Sequence, residues 1–297
     1  MLALPGCAGL SRGGWNGPKY AGETTFDPST MAALRAKKAV FFLREADLPR
    51  AAEFRDALTA AWSTTPLEVA AYADRARYPA SGHVYFTLVS RNVVVHGGPN
   101  EEYFYPQIAL VLCTSADNSR DDDVGYGRLP LALKFQRLFD DDGDMYQQSE
   151  FYDWTPPRLA LYLRDLDLQL KQGRRRWFYD SFANEKALAE LKTSCLYVPQ
   201  DTLTQFSKTT SAEVDPWSER ALWARYPHRH QVVTPEELAE AMKGGAQSVF
   251  VFDYVKSAGD KFISVFERAR GIVYREYSAM SSNIDSDDIA ALADAVG

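Results

Sequence analysis

Two histidines, His228 and His230, stand two positions apart and are the first residues whose spacing could do chemistry. In an extended chain, residues two apart point to the same face, so both imidazoles could bind one metal ion. The sequence indicates no third ligand, and Pro227 precedes the pair where a loop enters a strand. We interpret both histidines as surface residues that could take part in binding, and we predict no metal site.

An acidic run at residues 140–144 resembles part of a calcium-binding loop. If Gly143 takes the sixth position of such a loop, Leu138 takes the first and Ser149 the twelfth. The first carboxylate and the bidentate glutamate are then both missing. We interpret the run as a solvated acidic turn, and we predict that the protein binds neither calcium nor zinc tightly.

Three consecutive arginines, Arg174, Arg175 and Arg176, precede Trp177 and two further aromatic residues. Arginine and aromatic side chains together suit anionic lipid headgroups or another polyanion. In the other interpretation, which we favour, the guanidinium groups lie at the negative end of the preceding helix while the rings enter a core. The three arginines and Trp177 remain candidate binding residues.

The sequence lacks the common signatures of catalytic and cofactor sites. It contains no Gly-x-Ser-x-Gly elbow, no phosphate-binding loop and no dinucleotide fingerprint. We therefore assign no catalytic residue and expect no cofactor.

The charge balance of the chain argues against a nucleic-acid partner, and its hydropathy argues against a membrane-spanning helix. The 297 residues carry a formal net charge of −7, whereas nucleic-acid-binding proteins normally have a basic surplus or a basic face. No run approaches the roughly 20 apolar residues of a membrane helix. We predict no nucleic-acid partner and no transmembrane segment, so a membrane link would need lipid or a partner protein.

The three cysteines do not form a disulfide framework or a zinc-binding spacing. Cys113 and Cys195 each lie in an apolar strand and are interpreted as small buried side chains. Cys7 follows Leu4-Pro5-Gly6 and precedes a stretch rich in glycine, serine and arginine, which resembles the end of a bacterial lipoprotein signal. The resemblance implies lipid on Cys7; the alternative is a chance cysteine in a disordered tail.

The elements that must position these residues recur in the same order in two segments, residues 39–139 and 195–277. Each begins with a short apolar strand, continues with a helical stretch ending in aromatics, and then has a second strand, a short polar helix and three consecutive strands. We predict an α+β fold of two tandem β-α-β-α-β-β-β domains. Each would be a mixed sheet with two helices on one face.

The predicted boundaries are a flexible lead-in at 1–28, a first repeat at 29–145, a helical linker at 146–192 and a second repeat at 193–297. In the linker, Thr155 can cap a helix that carries a leucine stripe and stops at Gly173. Four leucines form this stripe: Leu159, Leu163, Leu166 and Leu170. We expect this helix to pack between the two domains, although such a stripe could instead bind a partner's helix.

The second repeat resembles the amino-terminal α/β domain of TolB and of envelope lipoproteins of the curli-secretion type. The resemblance rests on Val232 and Val233, on a capping box that starts at Thr234, on a strand of alternating valines and aromatics, and on the turn that ends at Gly271. The first repeat lacks that glycine and has residues 115–123 in place of the turn. The resemblance implies an extracytoplasmic binding or assembly role with no reaction.

Two functional hypotheses follow. The first is a non-enzymatic envelope protein, periplasmic or envelope-associated, whose domains bind an envelope protein or a cell-wall component. The second is a hydrolase or metal-dependent enzyme, with His228, His230 and nearby carboxylates in a cleft between the repeats. Histidine and acidic side chains converging in a cleft would favour the enzyme, and an exposed apolar surface would favour binding. A cytoplasmic location is the alternative to the envelope.

Overall fold

The computed structural model describes most of the chain outside its amino terminus. The described residues are 24–98, 101–114, 126–134, 142–176, 179–207, 213–244, 248–257, 259–279, 281 and 283–297. Within them the fold is mixed α+β with two mixed sheets, which confirms the predicted class. No helix in the described part of the chain is both long and apolar enough to cross a membrane.

The helices and strands, in chain order, fall into two halves around a long central helix. The first half contains β1 (Thr24–Thr25), α1 (Pro28–Arg35), β2 (Lys38–Leu43), α2 (Ala51–Ala61), β3 (Leu67–Ala71), β4 (His83–Gly98), β5 (Glu101–Cys113), β6 (Gly127–Leu131) and α3 (Asp142–Gln148). The central helix is α4 (Pro156–Lys171). After it come β7 (Arg174–Arg175), β8 (Phe182–Ala183), α5 (Glu185–Leu188), β9 (Leu196–Pro199), β10 (Gln205–Phe206), β11 (Glu213–Val214), α6 (Glu219–Leu222), β12 (His230–Val233), α7 (Pro235–Lys243), β13 (Phe250–Ser257), β14 (Asp260–Glu267), β15 (Gly271–Ser278) and α8 (Ser286–Val296).

The two sheets have the same strand order and the same strand directions. Sheet one has the order β3-β2-β4-β5-β6, and sheet two has the order β12-β9-β13-β14-β15 with β8 added at one edge. In each sheet the first three strands of that order are parallel, and the following pairs are antiparallel. The predicted order of strands thus recurs in both halves.

The predicted placement of two helices on one face differs from the structure. In sheet two, Leu238 of α7 packs in a first core cluster, whereas Leu222 and Trp223 pack in a second cluster on the other face. The physical reason lies in the strand order, because β9 has parallel neighbours on both sides. The connection from β9 to β12 and the connection from β12 to β13 run in opposite directions across the sheet. Because both connections are right-handed, they lie on opposite faces of the sheet. All eight residues of β13 are accordingly buried.

Sheet one is also covered on both faces at its centre, which differs from the predicted sheet with helices on one face only. On one face Phe41 contacts the ring of Trp154, and on the other Phe42 contacts the rings of Tyr72 and Tyr85. The layers therefore run from sheet one, through α2, α4 and α7, to sheet two and then to α5, α6 and α8.

Helix α4 lies between the sheets, as expected for the linker helix. Its four predicted leucines are buried, but so are most of its other residues: 12 of its 16 residues are buried in total. Polar residues tie it to both halves. Asp167 accepts a hydrogen bond from the backbone of Thr64 at 2.7 Å, and Asp165 accepts one from the backbone of Ile272 at 2.9 Å.

The core does not divide at the boundaries expected for two domains. The first core cluster includes residues of sheet one, of α4, and of β13 and β14, such as Val251 and Phe266. The amino-terminal boundary also differs, because β1 pairs with β7 and Asp27 caps α1, although the sequence had assigned these residues to the lead-in. Residues 142–144 begin α3 rather than a turn, and residues 140 and 141 lie outside the described residues.

Candidate functional site

A groove of about 1150 Å³ lies between α2 and α7, with α4 as its floor. The groove exists because small side chains face it. On α2, Ala57, Ala60 and Ala61 stand at the spacing that shares one helix face, and they fill little of the space between the helices. From α4, the floor is contributed by Pro156, Pro157, Ala160 and Leu161.

Each wall of the groove is anchored by residues on its far side. Phe54 and Leu58 hold α2 in the first core cluster, and Leu238 holds α7 there. The start of α7 is set by a capping box, in which Thr234 N donates to Glu237 Oε2 at 2.8 Å and Glu237 N donates to Thr234 Oγ1 at 3.2 Å. The sequence predicted this box, and the structure confirms it.

Most charges on the rims are neutralised locally. Arg50 pairs with Glu53 at 2.7 Å, and Lys243 pairs with Glu240 at 2.5 Å. The hydrogen bond to Glu53 raises the pKa of Arg50, and the charges of Glu53 and of Glu236, on the opposite wall, raise it further. Among the described residues, Asp56 and Glu236 line the groove without forming an ion pair.

Arg164 and Arg268 also line the groove, but both are used by the fold. Arg164 lies 3.8 Å from Asp167, and Arg268 donates to the backbone carbonyls of Met242, at 2.8 Å, and Gly244. Five acidic and four basic side chains line the groove, so its net charge is negative by one.

The predicted histidines do not line this groove. The ring of His230 stacks on Trp223 at 4.9 Å between centroids, and its Nε2 lies 3.5 Å from Glu219 Oε1. His228 meets the ring of Tyr226 edge-on at 5.3 Å. Trp223 and Tyr226 belong to the second core cluster, on the face of sheet two that points away from the groove. Within the described residues, no three acidic, histidine or cysteine side chains are placed to hold a metal ion.

The predicted arginine patch is largely used within the fold. Arg174 and Arg175 form β7, and Arg175 is 5% exposed. The guanidinium carbon of Arg176 lies 3.9 Å from the ring centroid of Phe182, and its Nη1 lies 3.7 Å from Asp165 Oδ1. Trp177 and Cys7 lie outside the described residues, so the structure places neither of them.

A buried polar network, which sequence reasoning missed, joins α4 to sheet two. Arg158 donates to Asp253, and it donates to Asp201 at 2.6 Å. Tyr162 Oη, one helical turn further on, lies 2.9 Å from a carboxylate oxygen of Asp153 and 2.9 Å from one of Asp253. Two sequence signals could have found it: a charged residue inside the leucine pattern of α4, and an aspartate inside the apolar strand β13.

In this network the carboxylates of Asp153 and Asp253 compete for the hydroxyl proton of Tyr162. A tyrosine hydroxyl has a single hydrogen, so Tyr162 cannot donate to both carboxylates. Burial raises the pKa of Asp153 to about 7, so its protonated form persists near neutrality. A protonated Asp153 donates to Tyr162, which then donates to Asp253, whose remaining charge is balanced by Arg158. Each donated hydrogen in this arrangement has an acceptor, so the network can serve a purely structural role.

Comparison of the chain with models of protein families, with curated proteins and with solved structures finds no match. The groove and the buried side chains of the described residues are therefore the observations from which a function is inferred.

Proposed function

We propose that this chain is a non-enzymatic binding protein of the bacterial cell envelope and that its groove receives a helical segment of a protein partner. The observation that carries this proposal is the geometry of α2, α4 and α7. Two helices that rest on a third leave a position of about 1150 Å³ unfilled, with alanine, proline and leucine at its base. A helix that lays its apolar face into such a groove is a common mode of recognition.

The charge of the rims indicates which side chains a partner segment would carry. Asp56 and Glu236 face the groove from opposite walls and form no ion pair among the described residues. Complementary charges favour the correct partner and steer its approach. The expected partner segment is therefore an amphipathic helix with an apolar stripe that is flanked by lysine or arginine.

The lining of the groove supports binding rather than catalysis. The described side chains that line it include no serine, threonine, cysteine, histidine or tyrosine, and its possible proton carriers are the carboxylates and Lys243 of the rims. His228 and His230, on which the enzymatic alternative depends, pack on the far face of sheet two. Among the described residues, the carboxylates of the groove are joined by no hydroxyl, thiol or imidazole nucleophile and by no cluster that could hold a metal ion, so the enzymatic alternative is less favoured.

The groove can be tested with two synthetic helical peptides that share one leucine stripe and differ only in lysine or glutamate flanks. Fluorescence anisotropy is expected to show tighter binding of the lysine peptide, and its affinity should fall as salt rises. Ala60→Trp fills the groove and should weaken binding at least tenfold.

Thr59→Trp is the matched control, because Thr59 is exposed on α2 beside Ala60 but does not line the groove. It should leave the affinity unchanged. Equal binding of the two peptides would refute the charge argument. Equal affinities of the two tryptophan variants for the lysine peptide would refute the groove as the binding site.

We infer further that the two halves descend from one duplicated β-α-β-α-β-β-β unit and that the protein is held in the envelope through lipid on Cys7. The common strand order and strand directions of the two sheets support the duplication. The sequence around Cys7 and the resemblance of the second half to envelope domains support the location. A cell-wall component is the alternative ligand, and it would fit an apolar groove less well than an amphipathic helix.

A further inference from the structure

The three helices of the groove run in the same direction, and their first turns lie at one end of it. Trp154, just before α4, donates to the carboxylate of Asp47, just before α2, at 2.7 Å. The charge of Glu236, in the first turn of α7, raises the pKa of Arg50 at the start of α2, so these two turns are close. The beginnings of α2, α4 and α7 therefore lie together.

The last turns of the same helices lie at the opposite end of the groove. Thr64, just after α2, donates from its backbone to Asp167, near the end of α4, at 2.7 Å. Arg268 lies in the turn between β14 and β15, which contacts α4 at Asp165, and it donates to the carbonyl of Met242 at the end of α7 at 2.8 Å. All three helices are thus parallel along the groove.

The end of the groove at the first turns is its acidic end. Glu53 of α2 and Glu236 and Glu237 of α7 line it, against the single cation Arg50, so the side chains there sum to a charge of −2. Carboxylates in a first turn also complement the positive end of the helix dipole, which reduces the field at this end. Because the three glutamates are exposed, they meet an incoming partner directly.

The end of the groove at the last turns is its basic end. Lys243, Arg268 and Arg164 line it, together with Glu240, so the side chains there sum to a charge of +2. Arg164 belongs to this end because its Nη1 points along α4 to Asp167, at 3.8 Å. The lining of the groove therefore changes sign along the direction of the helices.

The two ends are far enough apart to act separately. At 1.5 Å per residue, the 11 residues of α2 span about 16 Å. This is roughly twice the distance over which physiological salt screens exposed charges. Asp56, at the middle of α2, gives the groove its net negative charge without distinguishing the ends. A helix that carries opposite charges at its two ends would be held in one direction.

We propose that the partner helix lies antiparallel to α2, α4 and α7, with its last turn over the acidic end of the groove and its first turn over the basic end. Helices commonly carry acidic residues in the first turn and basic residues in the last, because these charges complement the helix dipole. In the antiparallel direction both sets meet opposite charges, whereas in the parallel direction both meet like charges. The inference rests on the proposed function and adds that the basic residues of the partner are concentrated in its last turn.

The direction can be measured by disulfide trapping of a peptide on the full chain that also carries Cys7→Ser and Cys195→Ser. Pro235→Cys and Met242→Cys each place an uncharged thiol on α7, the first at the acidic end and the second at the basic end. The peptide has a leucine stripe, glutamates in its first two turns, lysines in its last two, and one cysteine at either terminus. At residue 235 the carboxyl-terminal cysteine should be trapped at least tenfold faster than the amino-terminal one, and at residue 242 the preference should be inverted.

Two controls test whether charge sets the direction. A second peptide, with lysines in its first turns and glutamates in its last, should be trapped in the parallel direction. Glu236→Lys should reduce the preference of the first peptide at least threefold. Glu185→Lys is the matched control and should leave the preference unchanged, because Glu185 is exposed in the first turn of α5, whose buried residues belong to the second core cluster.

Equal trapping of the two termini of the first peptide, or trapping in the parallel direction, would overturn the inference. Antiparallel trapping of the second peptide, or an unchanged preference in Glu236→Lys, would do so as well, because charge would not then set the direction. These results would leave the groove as a binding site. If neither peptide bound or was trapped at either residue, the proposed function and this inference would fail together.

Discussion

At the scale of single residues, the clearest consequence of the fold is a proton shared along a chain of buried groups. Asp153, Tyr162 and Asp253 are all buried, and Arg158 donates a hydrogen bond to Asp253. Because the phenol can satisfy only one carboxylate, Asp153 is best satisfied when it is itself protonated. The stability of the protein should therefore depend on the protonation of this residue.

The pH dependence has a definite sign. Burial raises the pKa of Asp153 to about 7 in the folded protein, whereas the unfolded value is close to 3.9. The folded state thus holds a proton that the unfolded state has released. The contribution of Asp153 to stability is complete below about pH 4 and is lost as the pH rises through 7. Asp153→Asn should abolish this loss, because the amide can accept from Ala132 N and donate to Tyr162.

The measurement is urea unfolding of both proteins at pH 5 and pH 8. Relative to wild type, Asp153→Asn should gain roughly 2–3 kcal/mol between these two values, at about 1.4 kcal/mol per pKa unit. Asp153→Ala serves as the control, since it leaves Ala132 N without an acceptor and should be less stable than Asp153→Asn at both values. If the wild-type and Asp153→Asn stabilities change in parallel with pH, Asp153 is not the titrating group.

The candidate groove is not lined by the residues that the sequence singled out. These were His228, His230 and the arginines, whose spacing is visible along the chain. The groove is instead built from alanines, which carry no chemical signal, and its rims join α2 and α7, which lie far apart in sequence.

At the scale of elements, the turn between β14 and β15 shows how tightly α4 and sheet two fit. Gly271 has a φ of +75°, and Ile272 N donates to Asp165 Oδ1 at 2.9 Å. A Cβ at position 271 would lie 2.5 Å from Asp165 Oδ1 and 3.0 Å from its Cα. Both the backbone conformation and the close approach of α4 therefore require glycine.

A pair of substitutions separates these two requirements. Gly173, after α4, has a φ of +67°, but no atom lies within 4 Å of its would-be Cβ. Gly173→Ala should cost only the strain of the left-handed backbone, about 1–2 kcal/mol. Gly271→Ala pays that strain and must also move Asp165, so it should be clearly more destabilising in urea unfolding. Equal losses of unfolding free energy in the two variants would mean that Asp165 and α4 move away from residue 271 at little cost in free energy.

Sequence patterns predicted the elements better than their arrangement. Helix α7 was predicted from its capping box and α4 from its leucines, because caps and helical periodicity are local properties. Helix α8 was missed, although Asp285 and Asp288 form a second capping box ahead of an apolar pattern. The sheet faces that the helices cover depend on which strands become neighbours, and no local pattern encodes that choice.

At the scale of the whole molecule, the repeat in the sequence does not produce two separate cores. The two sheets share strand order, yet α4 and one face of sheet two complete a core that begins in sheet one. The first core cluster draws on both halves, whereas the buried residues of the second cluster all come from the second half. The two halves thus share one core cluster around helix α4.

The proposed envelope location can be tested with the protein expressed from its full reading frame in a bacterium that processes lipoproteins. The protein is expected in the membrane fraction, and Cys7→Ser is expected to release it in folded form. A single acyl chain binds membranes only marginally, so stable attachment requires the several chains of a processed lipoprotein.

Cys195→Ser is the control, because it removes a thiol that is partly buried in the fold and should leave membrane attachment unchanged. Identical fractionation of the Cys7 and Cys195 variants, or a cytoplasmic wild-type protein, would contradict lipidation of Cys7. The groove would still stand as a binding site, but its partner would then have to be sought elsewhere in the cell.

The position of α4 in the chain also sets the order in which the protein can be completed during synthesis. Arg158 leaves the ribosome 95 residues before Asp253, its buried partner. At synthesis rates of about 5–20 residues per second, the arginine waits roughly 5–20 s for that carboxylate. During this interval sheet one and α2 can cover only one side of the helix. The nascent chain therefore presents an unfinished, charged surface to the ribosome and to chaperones until its last third emerges.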